Sequence, residues 1–419
     1  MKQLVIQKFE YQNLRVGENG FTQAHFERMV RYNELHKNQF FIIGHERITF
    51  QNFVGVIHIN NLTIEVLPKI DKHYDDKKSM RDILIKMLHR TGNLPLEKTE
   101  SALLNKTKGS LFDLYIQLFL QEVKSLIMQG LPKNYSLHRS NEPFIKGKLL
   151  FSEQLKHNLI RKDKNFIEYK KYSIDHIFNQ IIKFALEIVA DTSINLETLA
   201  SELLSHFETV SNKTISINDF KKLRYTRKTE CYRSVMTLAE LIITGFQPDL
   251  KYGSLNIVAF LFDMNLLFEN YVAEEIKREC KHSIENIKVK SQVSKIFWRH
   301  DASFSHKKIR PDIVIEIPNK ATYVLDTKWK ILQDIYSDDG DLKQLYTYSL
   351  QFEADHVFLI YPAATEEHLF THGQFQATKN GNLHTARKIS QWRIPLLTKQ
   401  GELNKNLGKE IITYLPNIS

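Results

Sequence analysis

Residues 310–330 read RPDIVIEIPNKATYVLDTKWK. Two apolar runs, IVIEI and ATYVL, read as neighbouring strands joined at the turn-forming Pro318-Asn319-Lys320. Asp312 stands at the mouth of the first strand and Asp326 near the end of the second, with Lys328 two residues on. Tight antiparallel pairing would bring both carboxylates to one end of the hairpin. Side chains alternate along a strand, so Asp326 and Lys328 point one way and Thr327 the other. Such an end is either a charged rim or a site that holds a cation.

The flanking elements weigh between these readings. A helix, LNIVAFLFDMNLLFENYVAEEIKREC, precedes a strand, ENIKVKSQVSKIFW; after the hairpin come a helix, LKQLYTYSLQFE, and a strand, HVFLIYP. That order, α-β-β-β-α-β, lets helices cover the faces of a mixed sheet. The Asp-x-Lys triplet carries little by itself, because Asp75-Asp76-Lys77, Asp219-Phe220-Lys221, Asp249-Leu250-Lys251 and Asp341-Leu342-Lys343 resemble it. Residues 312–328 differ in context: both acids bracket apolar strands, and the next helix carries Gln344 and Tyr348 one turn apart.

Two such carboxylates, with the Thr327 carbonyl, are hard oxygen ligands suited to Mg²⁺, which keeps waters and substrate phosphate oxygens in its remaining positions. The ion lowers the pKa of a bound water and neutralises charge on a scissile phosphate. Lys328 would position that water or stabilise the transition state. Glu269, on the preceding helix, is either a third acid reaching the cluster from the side or a surface residue like Glu274 and Glu275. Arg310 lies beside the motif, placed for a phosphate or for a surface acid. His300 and His306 read as loop histidines, Trp298 and Trp329 as packing residues.

Elsewhere the period changes twice. QLVIQKFE and QFFIIGHERITFQNFVGVIHINNLTIEVLPKI give short strand-like runs, with turns at Gly44-His45-Glu46, Gly55 and Asn60-Asn61. MRDILIKMLHR and SLFDLYIQLFLQEVKSLIMQGL have helical spacing, Gly130 marking a stop. The expected organisation is α+β and multidomain: a β-rich module over 1–75, a mainly helical region over 76–250, and an α/β domain over 251–419. There are 58 Lys and Arg against 48 Asp and Glu, a formal +10 that favours a polyanionic partner. The basic aromatic segments GKLLFSEQLKHNLIRKDKNFIEYKKY and KKLRYTRK read as a DNA path or as a solvated face over core aromatics. Two distant cysteines, Cys231 and Cys280, exclude zinc ribbons and iron–sulfur clusters. Without a signal-peptide apolar run or a membrane-length one, a cytoplasmic protein with no membrane association is expected.

The C-terminal third resembles the PD-(D/E)xK nuclease superfamily, with Pro311-Asp312 and Asp326-Thr327-Lys328 as the two halves of the motif. Gln344-x-x-x-Tyr348 is similar to the trailing helix of its RecB-like members. VGVIHINNLTIEVLPKI, residues 147–186 and DMNLLFE resemble the McrC family, nuclease subunits of McrBC-type, GTP-dependent restriction systems. The resemblance implies a catalytic triad of Asp312, Asp326 and Lys328, supported by Glu269 and Gln344. It implies dependence on Mg²⁺, with Mn²⁺ as the alternative; the metal is expected at Asp312, Asp326 and Thr327, and DNA contacts at Arg310 and Tyr348. The implied partner is a McrB-like AAA+ GTPase hexamer that binds the GTP, docks the β-rich module and selects modified double-stranded DNA. No GxxxxGK[ST] loop occurs in this chain, in keeping with a motor on another polypeptide. Lys171 and Ile177-Phe178 depart from the family's acidic and more polar positions. Two alternatives stay open: a stand-alone RecB-like repair nuclease, and a non-catalytic activator of a GTPase.

Overall fold

In the computed structural model, which describes residues 4–70, 76–95, 109–193, 195–248, 256–281, 287–301, 305–330, 338–364, 368–375, 387–398 and 400–416, the N-terminal runs build a five-stranded sheet. Its spatial order is Leu4–Phe9, Leu62–Leu67, Phe53–Ile59, Ile257–Asp263, Phe246–Gln247, with only the first pair parallel. Both faces are covered, which explains why VGVIHI and LTIEVL are nearly continuous apolar runs. Val54 and Val56 pack toward the helices Lys77–Arg90 and Leu111–Gln129. Ile57, Ile59 and Ile64 pack against Phe21, Met29 and Tyr32, the last two from the helix Gln23–Leu35.

Glu65, buried in this sheet, is compensated from three sides. It accepts from the Gln7 side-chain amide at 2.7 Å, the Leu111 backbone N–H at 2.6 Å and the Arg81 guanidinium at 3.2 Å. Leu111 opens its helix, so the carboxylate also meets that helix's positive end.

Several elements differ from the sequence expectation. The stretch expected as one helix from residue 255 is a strand, Ile257–Asp263, followed by the helix Met264–Cys280. Its apolar run is buried on both sides, where periodicity does not separate strand from helix. Asp263 is the divider: its carboxylate caps the helix by accepting from Asn265 N–H at 2.8 Å. The helix Gln23–Leu35, started by a Thr22–His25 capping box, lies inside the block read as β-rich. The central region holds a three-stranded antiparallel sheet, Asn134–Glu142, Asn165–Ser173 and Lys148–Leu149, beside its helices. Gly55 is no turn; it lies within a strand. The expected boundaries at 75 and 250–251, and Asp75 and Asp249-Leu250-Lys251 with them, fall outside the described residues.

The C-terminal sheet has the order Lys288–Ser291, Ile313–Ile317, Ala321–Thr327, His356–Ala363, Lys388–Pro395, Leu369–Gln374. The first three strands are antiparallel, the next two pairings parallel, and the edge strand antiparallel. Ile313, Ile315, Tyr323 and Leu325 face the helix Met264–Cys280. Val314, Val324 and Val357 face Leu345 and Tyr348 of the helix Asp339–Gln351. The stretch read as the strand ENIKVKSQVSKIFW breaks at Gln292, whose φ is +52°. Beyond it, Lys295–Arg299 pairs with His306–Ile309 in a separate two-stranded ribbon.

Candidate active site

The register of the hairpin sets the site. Ile313 pairs with Leu325, so one residue further Asp312 falls opposite Asp326. Thr327 then ties the strands together: its backbone N–H and its hydroxyl donate to Asp312 Oδ2 at 2.6 and 2.8 Å. Backbone N–H and C=O of one strand residue share an edge, so the Thr327 carbonyl also faces the Asp312 side. The other edge is occupied, Lys328 N–H donating to the Ile360 carbonyl at 2.8 Å.

Asp326 is buried, and its Oδ2 lies 2.8 Å from Lys328 Nζ, at ion-pair distance but without hydrogen-bond alignment. Lys328 is also 3.6 Å from Asp341 and donates to Gln344 Oε1 at 3.4 Å. Gln344 Nε2 donates to the Tyr348 hydroxyl at 2.6 Å, which donates to the Arg310 carbonyl at 3.1 Å. A relay thus runs from the lysine along the helix Asp339–Gln351 and back to the residue before Pro311-Asp312. Tyr348, expected at the DNA, is only 3% exposed and holds backbone instead. Arg310 is exposed.

Glu269 reaches this end from the helix on the opposite face. It is buried and accepts from Gln292 Nε2 at 2.8 Å, while Gln292 N–H donates to the Asp312 carbonyl at 2.8 Å. Burial raises the Glu269 pKa, opposed by Gln292 and by the charge of Arg310. Among the described residues no three His, Cys, Asp or Glu side chains converge closely enough to cage an ion alone. The acids opposed across the hairpin are Asp312 and Asp326, and Glu269 stands beside them on Gln292.

The electrostatics of this end disfavour two ionised acids side by side. Burial raises Asp312 to about 6, with Glu269 adding to the rise. Burial likewise raises Asp326 to about 6, with Asp312 adding to it and Lys328 opposing. Lys328 is itself half-buried, which works against its charge, but the acids around it outweigh that and raise its pKa. Two desolvated carboxylates, Asp326 buried and Asp312 partly so, form a donor set that suits a hard divalent cation.

A carboxyl whose folded pKa exceeds its unfolded value destabilises the fold once ionised. The metal-free protein therefore loses stability as pH rises from about 4 through 6, the loss being complete above that range. Asp326→Asn removes one such charge. In EDTA at pH 7.5 the variant is expected to melt above wild type, by about 3–6 °C, with the gap narrowing below pH 6 and closing toward pH 4. Calorimetry that finds it melting lower at pH 7.5 contradicts this electrostatic picture.

The remaining triplets have structural work. Asp76 caps the helix Lys77–Arg90, and Asp219 closes a capping box with Ser216 and pairs with Lys213. Asp341, in sequence only one more such triplet, belongs to the site through Lys328. Its signal was its place three residues before Gln344, on the same helix face. Gln292 had no such signal. Trp329 packs edge-on to Phe268 and donates its indole N–H to buried Glu10 at 2.7 Å, tying this end to the N-terminal sheet. Trp298 is not a packing residue: it stands exposed on the ribbon, its ring edge-on to His300.

Residues 48–362 match the family described as McrBC 5-methylcytosine restriction system component, about three quarters of the chain. The chain belongs to this family. Within it the fold is McrC-like. A chain of the half-complex of Thermococcus gammatolerans McrB AAA+ hexamers with bound McrC superposes with a TM-score of 0.69 at 18% identity, covering 98% of this chain and 100% of that one. A chain of the Thermococcus gammatolerans McrBC complex gives 0.51 at 20% identity, over 67% of this chain and 89% of that one. No curated protein matches.

Proposed function

We propose that this McrBC-family chain is the DNA-cutting subunit of its restriction system, a Mg²⁺-dependent endonuclease with a PD-(D/E)xK core. The observation that carries the reading is the pair of desolvated, mutually repelling carboxylates, Asp326 buried and Asp312 partly so, with Lys328 held over Asp326. A charged rim would be solvated, whereas these acids are desolvated at a cost that a substrate-bound cation would offset.

The division of labour follows from chemistry. Asp312 and Asp326 would hold Mg²⁺ or Mn²⁺ with the Thr327 carbonyl. Bound there, the ion would acidify a water and neutralise charge on the scissile phosphate. Thr327 pins Asp312 in place. Lys328, restrained by Gln344 and Tyr348, directs its ammonium at the attacking water or the developing charge. Exposed Arg310 meets the phosphate next in line. Lacking a phosphate-binding loop, the chain takes its GTP-driven motion from an AAA+ partner, as the hexamers named with McrC in the related structure indicate. The N-terminal module docks that ring, and the 5-methylcytosine of the family description points to modified DNA as substrate. No described helix is long and apolar enough to cross a membrane, and a DNA-cutting role puts the protein with DNA in the cytoplasm.

Incubation of methylated plasmid with the chain, its AAA+ partner, GTP and Mg²⁺ tests this. Linear product is expected only when all four are present. Cutting by the isolated chain, indifferent to GTP, would instead favour a stand-alone repair nuclease, and no cutting under any condition would favour a pure GTPase activator.

A further inference from the structure

The ribbon Lys295–Arg299/His306–Ile309 stands apart from both large sheets. Its root is fixed: Lys295 donates to the Gln351 carbonyl at 2.8 Å and lies over the Phe352 ring, and Ile309 packs against the C-terminal core. Beyond the root, three successive apolar side chains face solvent: Ile296 is 38% exposed, Phe297 and Trp298 each 44%. A bulge at Phe297 interrupts the alternation that would have turned alternate residues to opposite faces. Lys308 pairs with Ile296, and Lys307 with Trp298. Lys307, Lys308 and Arg299 are exposed, and none has an acidic partner among the described residues.

An interface with another protein places aromatics at its centre but excludes lysines from it. Lysines set opposite Ile296 and Trp298 on a two-stranded ribbon that also exposes Phe297 match a different surface, one with phosphates outside and stackable faces within. The ribbon also leads straight into the site. Arg310 and Pro311 connect it to Asp312, and the five residue steps from Lys307 to Asp312 span at most about 18 Å. That is about five base-pair steps of duplex.

We propose that this ribbon is a duplex-holding arm of the nuclease, Arg299, Lys307 and Lys308 contacting phosphates and Trp298 lying against sugar and base within about five steps of the scissile bond. The inference rests on the cutting role assigned to Asp312 and Asp326 but is separable from it. Binding is measured by anisotropy of a fluorescein-labelled duplex, with full-length chain carrying Asp326→Asn to prevent cutting. Adding Lys307→Ala with Lys308→Ala is expected to lower the slope of log affinity against log salt by about two. Trp298→Ala is expected to weaken binding about 10-fold or more. Trp329 and Trp392 are buried, so duplex should quench tryptophan emission in the parent and not in Trp298→Phe.

Equal affinity and salt slope in all the variants, including no measurable binding by any, overturns the proposal. So does loss of GTPase stimulation with DNA affinity unchanged, which would turn the ribbon toward the ring. If Asp326→Asn cuts as wild type while the ribbon variants still lose affinity, the cutting site falls and the arm stands.

Discussion

Lys328→Ala and Asp326→Asn are each expected to cut DNA at less than about one hundredth of the wild-type rate in the presence of partner, GTP and Mg²⁺. The two losses have different origins. Asp326→Asn keeps the shape of the strand end but replaces a carboxylate by an amide, halving the charge available to a cation. Lys328→Ala leaves both carboxylates in place and removes the ammonium that sits 2.8 Å from one of them. The aspartate variant should therefore recover part of its loss as Mg²⁺ or Mn²⁺ is raised, and the lysine variant should not. Gln344→Ala removes the restraint on Lys328 and the link to Tyr348 but leaves the ammonium and both carboxylates, so it should fall between these and wild type. Stimulation of the partner's GTPase serves as the control for folding and docking. A Lys328→Ala protein that stimulates normally and cuts normally removes the assigned triad.

Gly55→Ala is expected to destabilise the protein by about 3 kcal/mol or more, seen as a melting point about 3 °C or more lower or as insoluble chain. Gly55 adopts φ +136°, and a Cβ there would lie 2.0 Å from the Phe260 carbonyl oxygen. The obstacle is backbone of the paired strand, with Val54, Val56 and Phe260 all buried around it. No side chain can swing aside, so the sheet itself must part. Gly92 is the contrast, with φ +76° and no atom within 4 Å of the place a Cβ would take; Gly92→Ala should cost only about 1 kcal/mol. Thermal melts of the two variants side by side decide it, and a Gly55→Ala protein melting with Gly92→Ala would contradict the close approach.

The end of the hairpin was legible because its parts are local. Asp312 and Asp326 are brought together by a short turn, and Lys328 follows Asp326 at the strand period. Gln344 and Tyr348 share a helix face for an equally local reason. What escaped the sequence depends on distant partners. Ile257–Asp263 is a strand because residues 53–59 provide its neighbour, and nothing in IVAFLFD states that pairing. Trp329 meets Glu10 across nearly the whole chain. Gln292 matters because a left-handed turn aims its backbone N–H at Asp312 and its side chain at Glu269. Residue type alone makes Trp298 read as a packing residue, and only the isolation of the ribbon shows it outside.

Whether the two opposed carboxylates form the cation site of a cutting centre can be seen by locating Mn²⁺ through anomalous scattering in crystals of the full chain. An ion is expected between Asp312 and Asp326, and it should be absent when Asp312 is replaced by Asn. An ion held elsewhere, or none at this end of the hairpin while Lys328 still pairs with Asp326, would refute the assignment.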